Sequence, residues 1–176
     1  RHRYMDRCQD DEVCVCEMSQ ANVEQISRII EIAGSDPAGW RKTTLEERHK
    51  IMYEAANRLG EMRGDLIGCM CAITGKTVVE GDVEVSEGID YARFYTTSMK
   101  LFADLPDVDI TPEGTVLVIS PWNFPCAIPI GGIVAALAGG NTVILKPATV
   151  AAPVAWLFAQ AFWDAGVPKE ALQVII

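Results

Sequence analysis

The sequence predicts an α/β chain: a helical first part, then a parallel sheet built from βαβαβ. Three observations carry this. Residues up to about 112 show helical spacing of apolar positions with mixed charge between them. After Pro112 the texture changes to runs rich in β-branched residues. Those runs alternate with helical stretches as strand, helix, strand, helix, strand, and the natural product of that order is a parallel sheet. A length of 176 residues is enough for one domain with a real core, and 49% apolar against 22% charged residues is a folded mix rather than a disordered one.

In order along the chain, Glu12 to Met18 read as a short strand (residues 12–18). Ser19 is placed to cap a helix through Val23, Ile26, Ile29 and Ile30, ended by Gly34-Ser35-Asp36-Pro37. Thr44-Leu45-Glu46-Glu47 has the form of a capping box, and the helix behind it carries Ile51, Met52, Ala55, Ala56 and Leu59 on one side. Another helix is expected over 65–74, stopped by Gly75. A long one follows over about 83–102, with Val85, Ile89, Ala92, Phe94, Tyr95, Met99 and Phe102 as its apolar set. The run 114–119 suits a strand covered on both faces. A helix of small and apolar residues reaches Ala138. Thr142, Val143, Ile144 and Leu145 form a second buried strand, a helix spans about 152–165, and a third strand starts at Leu172. Gly131-Gly132 within a helix points to close packing, and Gly139-Gly140 to the turn out of it.

The net charge of −9 disfavours a nucleic-acid partner, which wants a basic stripe. The longest apolar run, 127–137, is too short to span a membrane and is broken by Pro129, Gly131 and Gly132. No apolar signal region follows the basic start, so no export signal is expected. Six cysteines include the pairs Cys14/Cys16 and Cys69/Cys71, a spacing poor for zinc with only His2 and His49 to help, so no metal site is expected. Reduced, buried cysteines in a cytoplasmic protein fit better.

Ligands of open parallel sheets bind beyond the carboxyl ends of the strands. Two segments fall there: Ser120-Pro121-Trp122-Asn123-Phe124-Pro125 and Lys146-Pro147-Ala148-Thr149. Asn123 offers an amide donor to an oxyanion, Lys146 an ammonium to ribose hydroxyls or phosphate, and Trp122 a flat apolar wall. The plain alternatives are a solvated lysine and a packed turn in which Asn123 caps the next helix. The usual Gly-x-Gly-x-x-Gly fingerprint is absent. Cys126 has no neighbouring acid or histidine in sequence to activate it, and it reads as packing.

Read together, Ile119-Ser120-Pro121-Trp122-Asn123-Phe124-Pro125 and Ala138-Gly139-Gly140-Asn141-Thr142-Val143-Ile144-Leu145-Lys146-Pro147-Ala148 resemble the aldehyde dehydrogenase superfamily. Thr74-Gly75-Lys76, the stretch from Glu84 to Tyr95, and Ala165-Gly166-Val167-Pro168 fit the same family order, over about residues 19–176. The resemblance implies a Rossmann-like fold, truncated here. Residues 1–112 would be the helical part of the cofactor-binding domain and 113–176 the first βαβαβ part of the NAD(P)-binding sheet, with the catalytic domain absent. It implies oxidation of an aldehyde to a carboxylate or acyl derivative, with cysteine attack, hydride transfer to NAD or NADP, and glutamate-assisted hydrolysis. Asn123 would be the side-chain half of the oxyanion hole. Lys146 would hold the adenosine ribose, with Ile119, Ser120, Pro121 and Trp122 lining the cofactor cleft.

Position 149, where the family often carries an acid near the ribose, is Thr149; this leaves NAD against NADP open with a lean to NAD. The family's catalytic cysteine and general-base glutamate lie further along than residue 176, so this piece alone is expected to be inactive. Its unfinished sheet is expected to drive association. The stretch 81–95 looks most like 1-pyrroline-5-carboxylate dehydrogenases, including the dehydrogenase half of bifunctional proline-utilisation proteins. That implies glutamate semialdehyde as substrate, a homo-oligomeric parent and a possible fusion to a proline dehydrogenase. Two rival readings are a non-catalytic nucleotide-binding or interaction module, and an aldehyde dehydrogenase for another semialdehyde.

Overall fold

The chain opens with a hairpin whose first strand the sequence pattern does not announce. In the computed structural model, which describes residues 1–7 and 13–176, β1 (His2–Met5) pairs antiparallel with β2 (Cys14–Met18). Tyr4 is buried with Ile73 and Ala152, so a stretch that reads as a basic lead is held by one aromatic anchor. Cys14 and Cys16 share the half-buried face of β2. Cys8 and the expected strand residue Glu12 lie outside the described residues.

Helix α1 (Val23–Ser35) is capped by Asn22, not by Ser19. The reason is local: Asn22 Oδ1 accepts from Gln25 N at 2.8 Å while Gln25 Oε1 accepts from Asn22 N at 2.9 Å, a complete capping box. Ala21, just before it, is committed elsewhere, its N–H donating to Ile176 O at 2.7 Å. The expected box at Thr44 and Glu47 opens α2 (Leu45–Glu61), with Met52, Ala55, Ala56 and Leu59 buried. α3 (Arg63–Thr74) ends at Gly75 as expected.

α4 (Val78–Ala103) starts a turn earlier than the apolar spacing suggests, because Thr77 and Glu80 form a third capping box. Its buried stripe is Gly81, Glu84, Val85, Gly88, Ile89, Ala92 and Thr96. Phe94 and Phe102, read from sequence as part of that stripe, are exposed. Phe94 falls between Ala92 and Thr96 on the turn facing away, and Phe102 lies beyond the last buried turn.

β3 (Thr115–Ile119), β4 (Thr142–Lys146) and β5 (Leu172–Val174) form a parallel sheet in the order β3-β4-β5. Parallel neighbours need crossovers, which α5 (Ala127–Ala138) and α6 (Ala152–Asp164) supply. α5 packs on one face, Val118 lying where a side chain on Gly132 would have to sit. α1 covers β4 and β5 from the other: Thr142 Oγ1 of β4 donates to Ala33 O at 2.8 Å and Gln173 Nε2 of β5 to Ile29 O at 3.1 Å. β4 is accordingly buried on both faces until Lys146.

β3 departs from expectation. Val116 and Val118 pack on the core, but Leu117 and Ile119 are 56% and 69% exposed. The strand is at the sheet edge, and among the described residues only one of its faces is covered.

The α4–α5 contact is close because both helices lack side chains where they meet. A Cβ on Gly131 would lie 3.1 Å from the Tyr91 ring, and one on Gly88 would lie 3.0 Å from Ile130. The carbonyl end of α5 is closed by α2 and the turn before it. Trp40 Nε1 donates to Leu137 O at 3.2 Å and Arg48 Nε to Ala138 O at 3.0 Å. Gly140 then turns the chain into β4 at φ 84°, a conformation that suits glycine. Among the described residues, no helix is long and apolar enough to cross a membrane.

Candidate active site

The carboxyl ends of β3 and β4 bring two of the expected segments side by side. The register pairs Ile119, last in β3, with Lys146, last in β4. Ser120 N donates to Lys146 O at 3.3 Å, extending the ladder one step past the strand. Ile119 and Lys146 are exposed at this end, whereas Ser120 is buried and can offer little but its backbone. Pro121 is half-buried, and Trp122 and Asn123 are exposed. Thr149, half-buried, begins a short 3-10 turn (Thr149–Ala151). Trp122 and Val150 line one depression of about 290 Å³ with Arg7, Ile73 and Thr74, so the two loops are neighbours.

Asn123 lines a separate depression that shares Thr74 and Trp122 with this one. It is a cleft of about 470 Å³ whose walls include Lys76, Val83, Glu84, Trp122 and Phe124. Lys146 does not line that cleft. Asn123 does not cap α5 either: no side chain caps that helix from its own end. A larger depression, about 690 Å³, lies away from these residues, between Cys16, Cys69, Trp156 and Ile176.

One functional group escapes sequence reasoning. Glu84 is 1% exposed, and its Oε1 accepts from Cys126 N at 2.7 Å and Ala127 N at 3.1 Å, the opening donors of α5. Lys76 Nζ stands 2.7 Å from Glu84 Oε2 and 4.3 Å from the centre of the Phe124 ring. A buried carboxylate needs such partners, since unpaired burial of a charge is very costly. The available signal was positional: Glu84 stands three residues after Gly81 and four before Gly88, in the stripe that packs.

Cys126 is fully buried in the core. Burial, and next the negative charge of Glu84, push its thiol well above the ordinary range. A thiol held protonated is a poor nucleophile, so its closeness to Asn123 in sequence does not make it one.

The Aldehyde dehydrogenase family model matches residues 2–176, and the chain belongs to that family. A 1-pyrroline-5-carboxylate dehydrogenase of Geobacillus sp. (strain WCH70) is 34% identical over 168 residues, covering 90% of this chain and 33% of the relative. An alpha-ketoglutaric semialdehyde dehydrogenase of Bacillus subtilis (strain 168) is 33% identical, over 90% of this chain and 34% of its own length. Among solved structures, proline utilization A (PutA) from Bdellovibrio bacteriovorus superposes with a TM-score of 0.91 at 27% identity, over 99% of this chain and 19% of that one. An NAD-dependent benzaldehyde dehydrogenase from Corynebacterium glutamicum gives 0.88 at 26%, over 99% of this chain and 40% of that one. The chain spans about a third of the length of the curated relatives it matches.

Proposed function

We propose that this chain supplies the cofactor-binding edge and the oxyanion donor of an NAD(P)-dependent dehydrogenase that oxidises glutamate semialdehyde, in equilibrium with 1-pyrroline-5-carboxylate, to glutamate. The observation that carries it is the pairing of Ile119 with Lys146 at exposed strand ends, with Asn123 four residues further on in an anchored loop. In this reading residues 1–112 form the helical part of the cofactor-binding domain and 113–176 the start of its sheet.

The residues fit a dinucleotide. Lys146 offers a cation to the ribose hydroxyls beside the apolar surfaces of Ile119 and Trp122, with the backbone of Ser120 and Pro121 between them. Thr149, close by in sequence, adds no negative charge that would turn away a 2′-phosphate, so it does not select between NAD and NADP; the reading leans to NAD. NAD bound there would supply the hydride acceptor. Asn123 would donate its amide N–H to the substrate oxygen as negative charge develops, the contribution by which such donors accelerate acyl chemistry. Cys126, buried and protonated, is not the nucleophile; in this reading the nucleophile lies beyond residue 176, as the family resemblance implies, and the 176-residue chain alone is expected to form no NADH from any aldehyde.

The reading is tested in the protein expressed from its complete reading frame. Asn123→Ala is expected to lower kcat by roughly 100-fold to 1,000-fold with nucleotide affinity little changed. Lys146→Ala is expected to weaken NAD binding, read by titration, more than it lowers kcat at saturating cofactor. An Asn123→Ala enzyme with wild-type kcat ends the oxyanion assignment. The relative that acts on alpha-ketoglutaric semialdehyde favours a second substrate, and kcat/KM compared across the two semialdehydes separates them.

A further inference from the structure

We propose that Glu84 is a positioning residue for Asn123: through α5 and Phe124 it holds the loop that aims the oxyanion donor. This rests on the reading of Asn123 given above. Glu84 lies in the packed stripe of α4, where Val85, Gly88, Ile89 and Ala92 are also buried. An apolar side chain there would fill the space without the cost of desolvating a carboxylate. The carboxylate is therefore kept for what it binds.

What it binds is the far end of the Asn123 loop. One oxygen takes the N–H groups of Cys126 and Ala127. These groups are oriented donors at the positive end of α5, and no side chain within that helix caps them. The other oxygen holds Lys76, itself only 13% exposed, and the Lys76 ammonium lies over the Phe124 ring. The residues on both sides of buried Pro125 are thus tied to one ion pair. At the near end, Ser120 is tied to β4 through Lys146 O. Asn123 lies between two fixed points, with Pro121 and Pro125 stiffening the span. Little freedom remains to its backbone, as an oxyanion donor requires, because small misplacements of a reacting group cost large factors in rate.

The experiment uses the complete protein with four variants: Asn123→Ala, Glu84→Gln, the double variant, and Lys76→Met/Glu84→Gln. Gln keeps the shape and one acceptor oxygen but loses the charge. The paired change leaves no uncompensated ammonium, and it stands in if Glu84→Gln does not fold. The proposal expects Glu84→Gln to lower kcat by about 10-fold or more, with Kd for NAD within about 2-fold of wild type. In the Asn123→Ala background the same change is expected to cost less than about 2-fold, because the group being aimed is gone. Unchanged kcat in Glu84→Gln, or losses that multiply in the double variant, overturns it. Failure of both Glu84 variants to fold also overturns it, marking the carboxylate as a structural cap alone. Asn123→Ala with wild-type kcat sinks the oxyanion reading instead, so the two failures are distinct.

Discussion

Cys126 and Cys69 show how burial, ahead of any neighbouring charge, decides what a thiol can do. Burial, followed by the charge of Cys16, pushes the Cys69 thiol up to about 12 from an ordinary 9.0, and Cys126 is raised further in the same direction. Both are protonated in the folded chain where an unfolded chain already ionises them. Their contribution to stability is therefore complete below pH 9 and is lost as pH rises toward 12, by at most about 1.4 kcal/mol per pH unit for each thiol. Urea midpoints are expected to fall between pH 8.5 and 10.5, and a Cys69→Ala/Cys126→Ala variant to show a shallower fall over that interval; equal slopes would refute it. A thiol reagent at pH 8 is expected to leave Cys126 unlabelled until denaturant is added. The packing role of Cys126 was legible in the sequence because nothing nearby could activate it. Glu84 was not, because an acid on an amphipathic helix normally reads as solvated. Its partners Cys126 and Ala127 stand 42 and 43 positions away, a distance no local pattern spans.

The helices were legible where their punctuation was complete. Thr44 with Glu47, and Gly75 at φ 72°, fixed the start of α2 and the end of α3 from sequence. The starts of α1 and α4 carry the same kind of signal, in Asn22 with Gln25 and in Thr77 with Glu80, outside the apolar periodicity of each helix. Periodicity reports the buried stripe, whereas caps report the ends, and the two need not coincide on a helix whose first turn faces solvent. Val78, Val79 and Val83 are exposed, and the first buried positions of α4 are Gly81 and Glu84, so its opening turns place no apolar side chain in the core. The capping bonds carry a consequence for stability. Thr44 Oγ1 accepts from Glu47 N at 3.2 Å while Glu47 Oε2 takes the Thr44 N–H at 2.7 Å. Thr44→Ala removes the first and loosens the second, for an expected loss of about 1 kcal/mol. Chemical denaturation should show a lower midpoint at an unchanged m-value, and a change in m would place the effect in the unfolded state instead.

The assembled chain carries a mismatch between what its sequence is patterned for and what it covers. The run from Thr115 to Ile119 has the composition of a strand enclosed on two sides, and β4, with a similar run, is so enclosed. β3 has a single neighbour among the described residues, and the face bearing Leu117 and Ile119 is bare. Local composition could show that the strand is built for burial but not which polypeptide supplies the cover. That is why the parallel sheet and its helical crossovers were readable while the exposed face was not. An apolar edge strand whose outer N–H and C=O groups no described strand pairs is a template for another strand. The isolated 176-residue chain is therefore expected to associate through β3, giving a mass above that of the monomer by light scattering at tens of micromolar. Leu117→Lys puts a charge on the bare face without touching Val116 or Val118, which pack inward, and should return the chain to a monomer while leaving its circular dichroism unchanged. A wild-type chain that scatters as a clean monomer would show that the edge is blunted in solution. Loss of helical signal in Leu117→Lys would show that the face is already packed against part of the same chain.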